Sequence, residues 1–241
     1  MALAFIAPGQ GAQFVGMGME LAKSYPQSRS VFEEVDDALG ENLSDLIWYG
    51  SIEDLTLTEN AQPALMATTL AVFRALQSEG LKLSDAKFVA GHSLGEYSAL
   101  AMAESLSISD AAKLLRIRGR AMQNAVPVGV GAMAAILGLP YSDLVEITKQ
   151  AASNGVCQAA NDNDPSQVVV SGHKGAVERA IEIAKEAGAK RAILLPVSAP
   201  FHSELMAPAS LEMKDALSTI SIIEPTIPLV SNVRAQAVRL P

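Results

Sequence analysis

The chain of 241 residues carries a single cysteine, Cys157. No intrachain disulfide can form, so packing must hold the fold, and a reducing compartment, the cytoplasm, is expected. The thiol follows Val156 in an apolar run and reads as a buried structural group. Aromatic residues are few, at 5% against a hydrophobic content of 49%. The core must therefore be filled by Ala, Val, Leu, Ile and Met. Positive charge is short: 18 Lys and Arg stand against 26 Asp and Glu, a formal net charge of −8. With no basic stripe to neutralise phosphates, a nucleic-acid partner is not expected. No apolar run reaches the length of a membrane span, and no membrane partner is expected. The apolar start, residues 1–7, lacks a basic beginning and breaks at Pro8-Gly9, so it reads as a first core strand and not as a signal peptide. Histidine numbers only three, which leaves few candidates for a general base.

The order of the elements that are present points to an α/β fold. Residues 3–7 read as a strand running into the Gly-rich loop PGQGAQFVGMG, a placement common for ligand loops in such folds. Helical spacing follows near 16–25, 29–39 and 59–79. A strand then leads into residues 91–95, with helices to about 103 and over 109–125. The segment VPVGVG, 126–131, breaks this pattern. Beyond it, 132–138 is strand-like, 141–153 helical, 156–160 and 167–171 strand-like around the turn NDNDPS, 175–187 helical and 191–197 strand-like. That β-α-β-β-α-β order is a split βαβ arrangement. A small domain over 128–197 is expected as an insert in a larger one made of 1–127 and 198–241. A helix over about 203–218 and a strand over 227–231 follow, with no clear element beyond.

Phe88, Val89 and Ala90 form a short apolar run, and Leu94, Tyr97, Ala101 and Met102 recur near helical spacing. Between them, Gly91-His92-Ser93-Leu94-Gly95 is a G-x-S-x-G pentapeptide at a strand-to-helix turn. In that context the motif presents a nucleophilic serine. The glycines let strand and helix cross closely and lift the Ser93 hydroxyl clear of the backbone. The Leu94 N–H, at the helix N-terminus, is placed to stabilise an oxyanion.

A serine hydroxyl needs a base at neutral pH, usually histidine. His92 adjoins the nucleophile and reads as a side chain packed against the sheet. His173, in the polar turn SGHKGA, reads as exposed. His202 lies in SAPFHSELM, where Pro200 and Phe201 would fix and partly bury it. By elimination it is the expected base. No acidic third member is evident, so a Ser–His dyad oriented by a backbone carbonyl is expected.

The helix SDAAKLLRIRGRAMQNA holds an anomaly. Its apolar stripe runs through Ala111, Leu114, Leu115, position 118, Ala121, Met122 and Ala125, and position 118 is an arginine. Arg116 and Arg120 fall on the other side and read as solvated charges. A buried guanidinium is costly unless it meets an anion. Two readings stand: a structural salt bridge to a core carboxylate, or a clamp on an anionic substrate, whose carboxylate would take two parallel bonds.

Five segments occur in order: PGQGAQ, GHSLGEYSAL, RGRAMQ, AANDNDPSQVVVSG and SAPFH. Together they resemble the malonyl-CoA:acyl carrier protein transacylase family, which loads malonyl groups for fatty acid synthesis, and the related acyltransferase domains of polyketide synthases. The likeness spans nearly the whole chain. It implies an α/β hydrolase-like parallel-sheet domain with an inserted ferredoxin-like (βαββαβ) small domain. It implies ping-pong acyl transfer with Ser93 as nucleophile, His202 as base, and the backbone N–H of Gln10 joining that of Leu94 in an oxyanion hole. Arg118 would bind the malonyl carboxylate. Gln62 in QPAL, Met122, Asn161 and Phe201 are implied as further substrate-binding positions, Phe201 being the bulky residue that leaves little room for a branched acyl group. Malonyl-CoA and acyl carrier protein are then substrates, no metal or other cofactor is needed, and a cytoplasmic monomer is expected. Acyl carrier proteins are typically acidic, so docking needs a local basic patch against the net field. Arg116, Arg120, Lys190 and Arg191 are candidates.

Family members usually continue past the strand near Val230 with another helix and a Gly-Pro-Gly-containing segment, which often supplies the carbonyl that orients the histidine. This chain stops at Pro241, so the large domain is expected to be C-terminally incomplete. Two rival readings use the same residues. A serine esterase or thioesterase would have no use for an inward Arg118. A non-catalytic acyl-carrier-binding subunit would have no need of Ser93, His202 and Arg118 together.

Overall fold

Two short apolar segments begin the first sheet. Leu3–Ala7 (β1) and Ala86–Gly91 (β2) pair in parallel, from Leu3 against Ala86 to Ala7 against Gly91. Parallel neighbours need a long crossover. Five helices supply it: Met19–Ser24 (α1), Pro26–Leu39 (α2), Leu43–Tyr49 (α3), Ile52–Thr56 (α4) and Thr58–Ser78 (α5). Then come Gly95–Met102 (α6), Ile108–Asn124 (α7), Gly131–Leu137 (β3), Tyr141–Ala152 (α8), Cys157–Asp164 (β4), Gln167–His173 (β5), Lys174–Glu186 (α9), Arg191–Leu194 (β6), Ala207–Ser218 (α10), Leu229–Ser231 (β7) and Gln236–Val238 (β8). This computed structural model describes residues 3–197 and 199–239. Met1 and Ala2 of the N-terminal strand reading, Ser198 at the expected domain junction, and Leu240 and Pro241 lie outside the described residues.

The chain divides into two units, Met1–Arg120 with Asp215–Pro241, and Ala121–Lys214. In the first, the sheet has the order β1-β2-β7-β8, with β2 parallel to both β1 and β7 and with β8 returning antiparallel on β7. The fold is thus mixed α/β with a parallel sheet. Helix α5 is buried over much of its circumference, with Ala61, Ala64, Met66, Ala67 and Ala71 at 0% exposure. A helix apolar on more than one face is a core helix, not a surface one.

The join between α5 and α7 has a specific chemistry. Pro63 lies inside α5 and has no N–H to give the Glu59 carbonyl four residues back. That oxygen instead accepts from Arg116 Nη1 at 2.7 Å. Arg116 also donates to the Asn60 side chain and pairs with Glu41, and its side chain is only 7% exposed. One turn on, a Cβ at Gly119 would stand 2.4 Å from Glu59 Cα and 2.7 Å from the Thr58 carbonyl oxygen. Only glycine permits that approach. Arg120 then reaches the Glu59 carboxylate at 2.9 Å. Residues 116, 119 and 120 form one face of α7 and grip the first turn of α5. This corrects the reading of Arg116 as a solvated charge: a freed carbonyl and an acid make burial tolerable.

In the second unit the order is β4-β5-β3-β6, with every neighbouring pair antiparallel. Period-two alternation assigns the two faces. Ala134, Ile136, Val168 and Val170 pack with Leu144 and Ile147 of α8 and Val177 and Ile181 of α9. Their neighbours Met133, Ala135 and Val169 pack on the opposite face with Ala121, Met122, Ala199, Phe201, Met206 and Ala209. That second cluster draws residues on both sides of 128–197 into the unit, which is why it runs wider than the expected insert.

Local differences from the sequence expectations have local causes. β4 runs through Asp164, so the turn is Pro165-Ser166 and not the whole of NDNDPS. The Asp164 carboxylate caps it by accepting from the Ser166 N–H at 2.9 Å and hydroxyl at 2.7 Å. β6 stops at Leu194, α1 starts only at Met19, and the short α3, α4 and β8 were not expected. Helices of 5 and 7 residues are too short to show a periodic signal.

Gly119→Ala should destabilise the fold by about 1–3 kcal/mol, because α5 backbone, not a movable side chain, meets the added methyl. Urea unfolding of both proteins measures the difference. Wild-type stability in the variant would mean that α7 can draw back from Glu59 at no cost.

Candidate active site

A Cβ on Gly91 would lie 1.9 Å from the Gly95 carbonyl oxygen, and one on Gly95 would lie 2.6 Å from that of Ala7. Strand end, helix start and the loop after β1 therefore touch backbone to backbone. The His92 N–H donates to the Ala7 carbonyl at 3.1 Å, holding the loop that carries Gln10 against the turn. Ser93 has φ 54°, the left-handed region, which costs a non-glycine residue about 1–3 kcal/mol and is found where a side chain must be presented. The N–H groups of Gly95, Glu96 and Tyr97 donate back to His92, Ser93 and Leu94. Among the described residues the Leu94 and Gln10 N–H groups have no acceptor. The Leu94 N–H directly follows the serine at a helix start, and such a donor suits a developing oxyanion.

Behind the hydroxyl runs a line of hydrogen bonds. Arg118 Nη2 donates to Ser93 Oγ at 3.0 Å and Nη1 to Gln62 Oε1 at 2.6 Å. Gln62 Nε2 donates to Thr58 Oγ1 at 3.0 Å, and the Thr58 hydroxyl donates to Gln10 Oε1 at 2.8 Å. Thr58 and Gln62 are 0% and 1% exposed, so neither can exchange these partners for water. Direction follows from the inventory of donors. Thr58 has one hydrogen and gives it to Gln10, so it receives the Gln62 amide, and the Gln62 oxygen is turned toward Arg118. Thr58 was not singled out from the sequence; its i, i+4 spacing to Gln62 was the available signal.

Arg118 differs from the other arginines of α7. Arg116 pairs with Glu41 and Arg120 with Glu59. Among the described residues no carboxylate lies within ion-pair distance of Arg118. Its surroundings are the Gln62 and Ser93 oxygens and the Tyr97 ring, whose centroid is 5.9 Å from the guanidinium carbon. Burial lowers the pKa of Arg118, opposed by Tyr97 and Glu96. A structural salt bridge, one of the two readings of this residue, is therefore not what holds it. Burial also raises the Tyr97 and Glu96 pKa values.

The second unit holds the other candidates. His202 is exposed, not partly buried as expected, and has φ 59°. Its flanks brace it. Phe201 is 7% exposed within the apolar cluster, and the Ser203 hydroxyl donates to the Pro200 carbonyl at 2.8 Å. Gln158 Nε2 donates to the Glu204 carboxylate at 2.9 Å and its Oε1 accepts the Glu204 N–H at 2.7 Å. Met122 belongs to the same cluster as Phe201. Asn161 is half-buried on β4 opposite Val169, beside a register shift. Of the remaining histidines, His92 is exposed and not packed on the sheet, and His173 is half-buried and accepts the Val156 N–H on Nδ1 at 2.9 Å. Cys157 is buried, and burial pushes its thiol pKa up to about 11, so it stays protonated and unreactive at neutral pH. Arg116, being buried, drops out as a docking residue; Lys190 and Arg191 are exposed. No helix among the described residues is long and apolar enough to cross a membrane.

A nucleophile turn, free backbone donors and a cation on the serine oxygen are the equipment of an acyl-transferring enzyme. Over residues 4–240 the chain matches the acyl transferase domain family, and it belongs to that family. Particular relatives are closer in kind. The malonyl CoA-acyl carrier protein transacylase of Bacillus subtilis (strain 168) is 50% identical over 234 residues, 97% of this chain and 73% of the relative. An acyl-carrier-protein-S-malonyltransferase from Bartonella henselae has a solved structure that matches with TM-score 0.95 at 55% identity, over 99% of this chain and 76% of that one. A malonyl-transacylase solved in complex with a type II PKS acyl-carrier protein matches with TM-score 0.94 at 41% identity, over 99% and 77%.

Glu96 offers a test of the electrostatics. Burial raises its pKa, while the Asn232 N–H at 3.3 Å and the Arg118 charge oppose the rise. A carboxylate whose folded pKa exceeds its unfolded one favours folding at low pH, and that contribution is lost as pH rises from the unfolded to the folded value. Glu96→Gln keeps an oxygen for Asn232 and removes the titration. Wild-type stability relative to the variant should fall as pH rises through and just above the ordinary carboxylate range, then level off. Urea unfolding across that range measures it, and a flat difference would show that Glu96 titrates alike in both states.

Proposed function

We propose that this chain is a serine acyltransferase that moves a malonyl group from malonyl-CoA to the phosphopantetheine thiol of acyl carrier protein through a malonyl-Ser93 ester. Arg118 carries the reading: a half-buried cation that has no ion-paired carboxylate among the described residues donates to the nucleophile's oxygen. The malonyl carboxylate is one methylene from the carbonyl under attack, so the group that reads it must stand beside the nucleophile. Two parallel bonds from a guanidinium suit it.

In this reading His202 takes the Ser93 proton as Oγ attacks the thioester carbon. The Gln10 and Leu94 N–H groups hold the oxyanion. The tetrahedral intermediate collapses, the C–S bond breaks, and His202 returns the proton to the departing coenzyme A thiol. The carrier thiol then attacks the ester with His202 again as base, and Ser93 leaves with the proton restored. Gln62 orients Arg118, and Met122, Asn161 and Phe201 border the acyl group. No metal or resident cofactor enters, because both acyl donor and acceptor are substrates. The strand order β4-β5-β3-β6 supports a ferredoxin-like insert in a hydrolase-like domain. Exposed Lys190 and Arg191 are docking candidates for an acidic carrier. The reading takes the enzyme to be a cytoplasmic monomer, and a single buried thiol is consistent with a reducing compartment.

Brief incubation with malonyl-CoA should add one malonyl group to the protein, seen as a mass shift, and Ser93→Ala should abolish it. The adduct should pass to acyl carrier protein faster than to water; rapid loss to water alone would mean a hydrolase.

Replacing Arg118 with Gln should cost malonyl transfer roughly 10²–10⁴-fold, from two charge-assisted bonds of about 1.5–3 kcal/mol each with incomplete additivity. Acetyl-CoA has no carboxylate to lose, so its transfer should be spared. The ratio of the two kcat/KM values reads this, and an unchanged ratio would remove Arg118 from substrate recognition.

A further inference from the structure

The turn that presents Ser93 is closed by a residue from a distant strand. Asn232 follows β7 directly. Its Oδ1 accepts the Ser93 N–H at 2.8 Å, and its Nδ2 donates to the Gly91 carbonyl at 2.6 Å. Its own N–H donates to Glu96 Oε1 at 3.3 Å. One residue thus binds the last residue of β2, the nucleophile and the first turn of α6. We infer that Asn232 is a positioning residue for the nucleophilic serine, its carboxamide closing the turn between the Ser93 N–H and the Gly91 carbonyl. The inference rests on the acyltransferase reading of Ser93.

The chemistry of the carboxamide fits the task. A residue at φ 54° has its N–H turned out of both the strand ladder and the following helix, and an unpaired backbone donor is costly. The Gly91 carbonyl, at the end of β2, needs a donor at the same place. Asparagine supplies one acceptor and one donor from a single short planar group. Aspartate has the acceptor without the donor, and serine is too short to span both. Fixing the peptide before Ser93 fixes the direction of its Cα–Cβ bond. The following peptide carries the Leu94 N–H, so hydroxyl and oxyanion donor are set together. Asn232 contacts none of the groups that bind the malonyl carboxylate in this reading except through Glu96, so its loss should slow chemistry more than it weakens binding.

The test uses the full chain with malonyl-CoA and holo acyl carrier protein. Asn232→Leu and the smaller Asn232→Ser are compared with wild type for the rate of malonyl-Ser93 formation, for kcat and KM, and for urea unfolding. Expected is a fall in kcat of about 10²-fold, the scale of a small misplacement of reacting groups, with KM within about twofold, at temperatures where both variants are folded. Asn232→Asp, which keeps the acceptor for Ser93, should recover part of the loss. Wild-type acylation rates in a folded variant would overturn the inference. So would a loss no greater than the unfolded fraction, or one carried by KM. Absence of an adduct on wild-type Ser93 would instead overturn the acyltransferase reading beneath it. Should the Leu variant not fold, the Ser and Asp variants decide.

Discussion

The carbonyl oxygen of Glu59 has lost its helical donor to Pro63, and Arg116 from α7 fills the place. Much of the first unit's site is arranged around that substitution of a side chain for a backbone N–H. With Arg116 and Arg120 on Glu59, and Gly119 lying against its backbone, the rotation of α7 about its own axis is fixed. Position 118 is then turned to another side of the helix, where it meets Gln62 and Ser93. The same first turn of α5 carries Thr58, which reaches Gln10. A proline in a buried helix would ordinarily be a defect. Here the freed oxygen is the docking point that helps set the direction of Arg118 on a different helix.

The electrostatic consequence is a cation with no ion-paired carboxylate among the described residues. Arg118 is half-buried, and its partners are neutral oxygens and an aromatic face. Neutral acceptors compensate a desolvated charge only in part. Its neighbours on the helix, Arg116 and Arg120, are ion-paired with Glu41 and Glu59, so the difference is local and not a property of the helix. In the proposed reading, the malonyl carboxylate completes what the protein leaves short.

Some of this was legible in the sequence because it depends on neighbours along the chain. The pentapeptide around Ser93 needs only its own strand and helix, and the inward place of Arg118 follows from helical spacing. Arg116 was misjudged because its burial depends on a carbonyl freed by a proline 53 positions earlier, a relation no periodicity encodes. Thr58 escaped notice because a threonine near a helix start reads as an ordinary terminus residue. β8 is 3 residues long and exists as a strand only by pairing with β7. Asn232 lies 139 residues from the serine whose N–H it accepts, and nothing in its neighbourhood along the chain points there.

That separation bears on the order in which the molecule takes shape. The strand that leads to the serine, β2, has one neighbour, β1, already synthesised when it emerges, and another, β7, that is made much later. The entropy of closing so long a loop rises only logarithmically, by about 0.6 kcal/mol for each doubling, so equilibrium stability hardly registers the distance. Rate does, because contacts between remote segments form late in folding. A chain still in synthesis can build the crossover helices and the β1–β2 pair while the bend at Ser93 lacks the partner that closes it. The bend that presents the hydroxyl therefore cannot be closed by Asn232 until the segment after β7 has been made.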